Sequence, residues 1–376
     1  DGHYERYVVL VALAVPIAVA GQVYRALLSA ARHVKALVIV RIIADTTSVA
    51  VFFILTKTYS LEGAVLGFAA LHTVFLFLTF FAVKRQFSTR IALPRISTAQ
   101  WREVRKNTGY GMTGLASTSM GIFSSLIIAR LVIDQYGAAA NGVVAVATKI
   151  TTVYLGGLNS ASGSYYYPQL VAADSNRDMC QHMNASLSLY FYLLPPIVAL
   201  LMLGGDFMIA GIFSSDFTAA STLLFLMLPG DLFRTVRETL AMSFFARQKL
   251  RTAVICRSIQ SITFVIITFL LLPNAGITGV AIAYASSQLI GAVAVAVLTM
   301  KHFQFRFSRQ CTSSVVRGLA LAVSCSVVLV SVPSHLVGRL GAGILLCSWF
   351  TLSMRDSDFA AIVNKILGRL AVRLYR

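Results

Sequence analysis

The sequence predicts an all-α polytopic membrane protein of about eleven transmembrane helices, and three observations carry that reading. Hydrophobic residues make up 57% of the 376, with a mean hydropathy of +0.77. Charged residues make up only 12%, about half the fraction of an average globular chain. Apolar runs of spanning length, roughly 20 residues each, recur along the whole chain between short polar connections.

In order, the runs cover Tyr7–Ala31, Lys35–Thr56, Leu61–Val83, Thr108–Ile133 and Asn141–Ala172. Met183–Ile212, Phe217–Phe245, Thr252–Leu272 and Ile277–Met300 follow, and Val315–Val332 and Leu336–Ser353 complete the set. Pro16, Pro195 and Pro196 do not exclude helices, because neighbouring helices in a bilayer re-satisfy the freed backbone groups. The segment 355–376 is of another kind. Phe359, Ile362, Val363, Ile366, Leu367, Leu370 and Leu374 recur at helical spacing, with Lys365, Arg369 and Arg373 elsewhere on the wheel. This predicts an amphipathic cytoplasmic helix attracted by anionic membrane lipid.

The 32 Lys+Arg against 14 Asp+Glu leave a net charge of +18, which in a soluble protein would suggest nucleic acid. Here the excess marks orientation. Basic residues crowd alternate connections: Lys84, Arg85, Arg90 and Arg95 after the third run, Arg247, Lys249 and Arg251 after the seventh, Lys301, Arg306 and Arg309 after the ninth. The intervening connections hold only Lys57 and Arg339. The positive-inside rule therefore puts the crowded connections and the C-terminus in the cytoplasm, and no nucleic acid is needed. The five scattered cysteines form no metal-ligand or disulfide pattern, and no cofactor motif is present. Short outer connections and dispersed histidines also argue against an enzyme.

Two parts of the chain repeat. Lys35 and Arg41 match Arg251 and Arg257, each 216 residues later, and Leu61-Glu-Gly63 matches Ile277-Thr-Gly279 at the same offset. Equal orientation of the copies predicts a parallel repeat about an axis along the membrane normal. The expected organisation is 1–83 as three helices of a first lobe, 84–107 as a cytoplasmic linker and 108–300 as a second six-helix lobe. An appended helix pair at 310–354 and the tail 355–376 follow. The complete second copy would align a first copy beginning about 109 residues ahead of Asp1, so the chain is expected to lack three N-terminal helices of the first lobe.

Three stretches carry a family resemblance: Trp101-Arg-Glu-Val-Arg-Lys-Asn-Thr-Gly-Tyr-Gly111, Ile128-Ala-Arg-Leu-Val-Ile-Asp134 through Gly142, and Tyr167-Pro168-Gln-Leu with Asp174. With the topology, they resemble the lipid-linked oligosaccharide flippases (Wzx-type polysaccharide transporters) of the multidrug/oligosaccharidyl-lipid/polysaccharide exporter superfamily. The resemblance implies two lobes around a cavity that opens alternately to each side of a bacterial cytoplasmic (inner) membrane. It implies a lipid-linked oligosaccharide as cargo for O-antigen, capsule or exopolysaccharide synthesis, with polysaccharide polymerase machinery as a possible partner. A multidrug/cation antiporter of the same superfamily and a lipid II flippase are the rival readings.

Ionisable groups inside spans cost about 2.5–3.5 kcal/mol each at the helix centre on insertion scales. Lys149 lies about 13 Å into its run at 1.5 Å per residue, with no acid within four positions. With Arg130 and Arg234 or Arg237, it is expected to line a cationic cavity contacting the diphosphate. Arg130, near an outer end with Asp134 four residues on, can instead snorkel, as can Arg257 near the inner surface. Asp45, Asp231 and Glu238 are the carboxylates placed for ion coupling, although Arg41–Asp45 and the Asp231–Glu238 cluster also suit neutral structural pairs. Asn159, Ser160, Ser162, Ser164 and Tyr165–Tyr167 suit either sugar contacts or small-residue helix packing.

Overall fold

A computed structural model of the chain describes residues 2–30, 34–87, 98–331 and 335–354. The expected amphipathic tail 355–376 lies outside the described residues, as do the side chains of Asn159, Ser160, Ser162, Ser164 and Tyr165. The helices are α1 (Gly2–Ala30), α2 (Val34–Phe87), α3 (Thr98–Ala172) and α4 (Asn176–Ile212). A 3-10 turn at Ser215–Phe217 leads to α5 (Ala220–Ala246), α6 (Leu250–Phe303), α7 (Arg309–Ser331) and α8 (His335–Met354). Backbone breaks at Ser60, Gly137 and Gly276 divide α2, α3 and α6. The described residues thus contain eleven helical segments, one for each apolar run in the sequence.

Among the described residues, seven helical stretches are long and apolar enough to cross a membrane, and the chain is an all-α, multi-pass membrane protein. Large apolar side chains such as Phe207, Ile262, Phe269 and Leu270 stand exposed on these helices. In lipid such exposure carries no hydrophobic penalty, since the acyl chains are as apolar as the side chains. α5 falls outside that set because Asp231, Arg234, Arg237 and Glu238 interrupt it.

Boundaries differ from the sequence reading where capping or a break decides them. α4 begins at Asn176, before the expected Met183, because the Ser175 side chain accepts from the Asp178 amide at 3.1 Å and caps the helix. The outer connection expected across 134–141 is helical on both sides of the single break at Gly137 (φ 84°). Helix also runs into both ends of the 84–107 segment, with α2 ending at Phe87 and α3 starting at Thr98.

The chain forms two compact units, Asp1–Ser97 and Thr98–Arg376. In the first, α1 packs on α2, with Tyr24 edge-on to Phe80 at 5.5 Å between ring centres. In the second, α5 is the central helix, packed against α3, α4, α6 and α7, while α8 packs on α7 and α4. Its core is built on Phe191, Phe244, Met179, Leu187 and Leu232, all fully buried. Asn184 pins the short α6–α7 connection, donating to the Arg306 carbonyl at 3.0 Å and accepting from the Ser308 amide at 2.8 Å.

The repeat is visible in the backbone. α2 and α6 are both 54 residues long and offset by 216 at each end. Their breaks keep the same offset: Ser60 has φ 50°, ψ −124° and Gly276 has φ 59°, ψ −151°. Three residues on, a Cβ at Gly279 would lie 2.9 Å from the Leu271 carbonyl oxygen, and one at Gly63 would collide with the equivalent oxygen of Leu55. Each break therefore doubles the helix back so closely that only glycine fits there.

Candidate functional site

A cavity of about 870 Å³ lies within the second unit, walled by both halves of α3, by α5 and by both halves of α6. Lys149, Arg234 and Arg257 line it with a single acid, Glu238. Lys149 comes from the second half of α3, twelve residues past the Gly137 break, about 18 Å along the helix. Helix periodicity puts Thr148, Thr151 and Thr152 on the same wall. Arg234 and Glu238 share one face of α5, and Arg257 reaches in from the first half of α6. There it lies against Gly121, where an added Cβ would stand 2.8 Å from its Nη2.

The charges are unequally matched. Arg234 Nε donates to Glu238 Oε1 at 2.8 Å, and Arg237 Nη2 donates to the same oxygen at 3.2 Å. Arg237 sits behind the wall, 5% exposed, and its Nε donates to Gln288 Oε1 on α6 at 3.2 Å. Among the described residues, neither Lys149 nor Arg257 has an ion-pair partner.

Below this layer Asp231 is fully buried. It accepts from Tyr154 Oη on α3 and Tyr284 Oη on α6, each at 2.6 Å. Tyr284 also lines the cavity, so one phenol connects the buried carboxylate to the open space. The hydroxyl wall has a polarity of its own. Ser124 and Ser125 donate to the Gly121 carbonyl at 2.9 Å, and Thr151 and Thr152 donate to that of Thr148 at 2.9 and 2.8 Å. With their protons committed to their own helix, these oxygens offer acceptors to whatever enters. Ser117 Oγ, on the same wall, is buried without a hydrogen-bond partner in the described structure.

Of the residues the sequence singles out, Lys149, Arg234 and Glu238 meet in this cavity, with Arg237 and Asp231 directly behind it. Arg130 is not among the lining residues; it pairs with Asp134 at 2.8 Å and is 77% exposed. Asp45 belongs to the first unit, where it pairs with Arg41 at 2.7 Å, both 57% exposed. Arg257 corrects the sequence reading: its position near the end of a span suggests snorkelling, yet its side chain turns into the cavity. Gln260, Gln288, Tyr154 and Tyr284 were not anticipated. Their partners lie 51 to 77 residues away where a bond is present, and single-chain periodicity carries no signal for such pairings. Among the described residues no group of three or more His, Cys, Asp or Glu side chains converges as a metal would require.

The family model described as polysaccharide biosynthesis protein matches residues 3–222. The chain belongs to the polysaccharide biosynthesis protein family. Solved structures that match its fold include the lipid II flippase MurJ in an inward closed conformation, with a TM-score of 0.58 at 15% identity. That alignment covers 82% of this family member and 66% of the flippase chain. No curated protein matches it in sequence. Both findings agree with the superfamily resemblance carried by residues 101–174.

Proposed function

We propose that this protein moves a polyprenyl-diphosphate-linked oligosaccharide from the cytoplasmic to the outer leaflet of a bacterial cytoplasmic membrane by alternating access. The single observation behind this reading is the cavity's charge: Lys149 and Arg257 on apolar spans, together with Arg234, against the single acid Glu238. Cations that are costly in a bilayer are retained where an anion or water meets them. Arginine and lysine together suit a diphosphate, the first by bidentate bonds and the second as a point charge. The adjoining serine and threonine acceptors suit sugar hydroxyls as donors. The family and the shared fold support transport rather than catalysis. A net positive cavity repels the cationic cargo of an antiporter, which leaves the choice among lipid-linked glycans to cavity shape. The basic connections support a cytoplasmic C-terminus, next to anionic lipid.

The test is flipping of a polyprenyl-diphosphate oligosaccharide in liposomes containing the purified protein. Lys149→Ala is expected to lower the rate by at least about tenfold, the loss of roughly one charge-assisted hydrogen bond at 1.4 kcal/mol per decade. Wild-type flipping by Lys149→Ala would sink the proposal.

A further inference from the structure

Glu238 stands out because it occupies the cation site with the wrong charge for an anionic cargo. It is not a surface neutraliser: at 22% exposure it sits in the cavity wall, bonded to Arg234 at 2.8 Å. Its position does not depend on that bond. Arg237 holds the same carboxylate oxygen at 3.2 Å, and Gln288 fixes Arg237 from α6. When Arg234 turns to an entering phosphate, Glu238 stays in place one helical turn away, ready to take it back. Lys149 and Arg257 have no such internal partner among the described residues.

We infer that Glu238 is a tethered competitor for the anion, a carboxylate built into the site to weaken cargo binding and hasten release. The inference rests on the diphosphate reading above and deepens it. Three cations in a low-dielectric cavity, with no acid among them, would hold a diphosphate tightly. A transport site must bind well enough to load yet weakly enough to unload. A competitor on the same helix acts at a high effective concentration, so Arg234 never waits unpaired and the leaving phosphate is replaced at once. Glu238 is thus a positioning residue for Arg234, and its charge sets the affinity of the whole site.

The measurement is inorganic pyrophosphate binding by titration calorimetry to the protein in phosphatidylcholine nanodiscs, paired with flipping kinetics in liposomes. Glu238→Gln keeps the shape and an oxygen that accepts from Arg234, and removes the charge. Pyrophosphate is expected to bind about tenfold more tightly, while KM and kcat for flipping both fall because release slows. A purely structural role would give weaker binding with unchanged or higher KM, and unchanged or weaker pyrophosphate affinity overturns the inference. If the single variant misfolds with Arg237 uncompensated, Arg237→Gln combined with Glu238→Gln removes both partners. That protein is expected to bind pyrophosphate severalfold more tightly, and wild-type affinity in its folded form overturns the inference equally. Lys149→Ala separates the two levels. Pyrophosphate binding that needs Lys149 but does not tighten in Glu238→Gln overturns the competitor alone, whereas no binding by either protein overturns the anion site with it.

Discussion

Arg41 in α2 and Arg257 in α6 occupy the same place in the repeat, 216 residues apart, and meet opposite fates. Arg41 bonds Asp45 one turn on at 2.7 Å, and both side chains stand 57% exposed. The residue one turn after Arg257 is Ser261, whose hydroxyl is buried without a partner in the described structure. Without an acid at that spacing, Arg257 has no ion pair along its own helix and extends into the cavity. One carboxylate at i+4 separates a self-neutralised arginine from one available to an anion. Two copies of one helical plan thus differ in chemistry at this position, while their backbones have kept the same length and the same break.

The sharpest way to break this contrast is to give α6 the acid that α2 has. Ser261→Asp is expected to capture Arg257 and weaken pyrophosphate binding by about thirtyfold, near 2 kcal/mol. Titration against the purified protein reads this directly, and unchanged affinity would show that Arg257 does not serve the cavity. Truncating each arginine gives a smaller effect with an internal control. Arg257→Ala is expected to cost about tenfold in pyrophosphate affinity, and Arg41→Ala less than about twofold, because its guanidinium is already paired. Equal losses in the two variants would erase the distinction. The smallest test addresses the backbone the copies share. Ser60 holds a left-handed conformation that costs a residue with a Cβ about 1 kcal/mol or more, whereas Gly276 meets it freely. Ser60→Gly is expected to raise the thermal unfolding midpoint by a few degrees and Gly276→Ser to lower it, as followed by loss of helical circular dichroism.

Much of the fold was legible in the sequence because its causes are local. Spanning runs need only apolar length, and the repeat needed only the spacing of Lys35, Arg41 and Gly63 against Arg251, Arg257 and Gly279. The start of α4 was misplaced because a polar first turn, Asn176–Met179, held by the Ser175 cap, has no hydropathy signal. The site was half legible. Lys149 announced itself as a charge with no acid nearby, and Arg234 and Glu238 as an i+4 pair on one face of α5. Arg257 did not, since depth along a span says nothing about which way a side chain turns. Whether Asp231 was free or held also depended on Tyr154 and Tyr284, which reach it from helices 77 and 53 residues away. Only the packing of α3 and α6 around α5 brings those phenols together.

The doubled-back approach of Gly63 to Leu55 and of Gly279 to Leu271 has a consequence for how the gene can vary. Each residue of an α-helix advances the chain by about 100°. Adding or deleting one residue between Leu271 and Gly279 would swing a side chain into the spot where only glycine fits. It would also rotate Tyr284 and Gln288 away from Asp231 and Arg237. Length changes in this segment should therefore be far less tolerated than substitutions, so that the interval behaves as a fixed ruler between the two walls of the cavity.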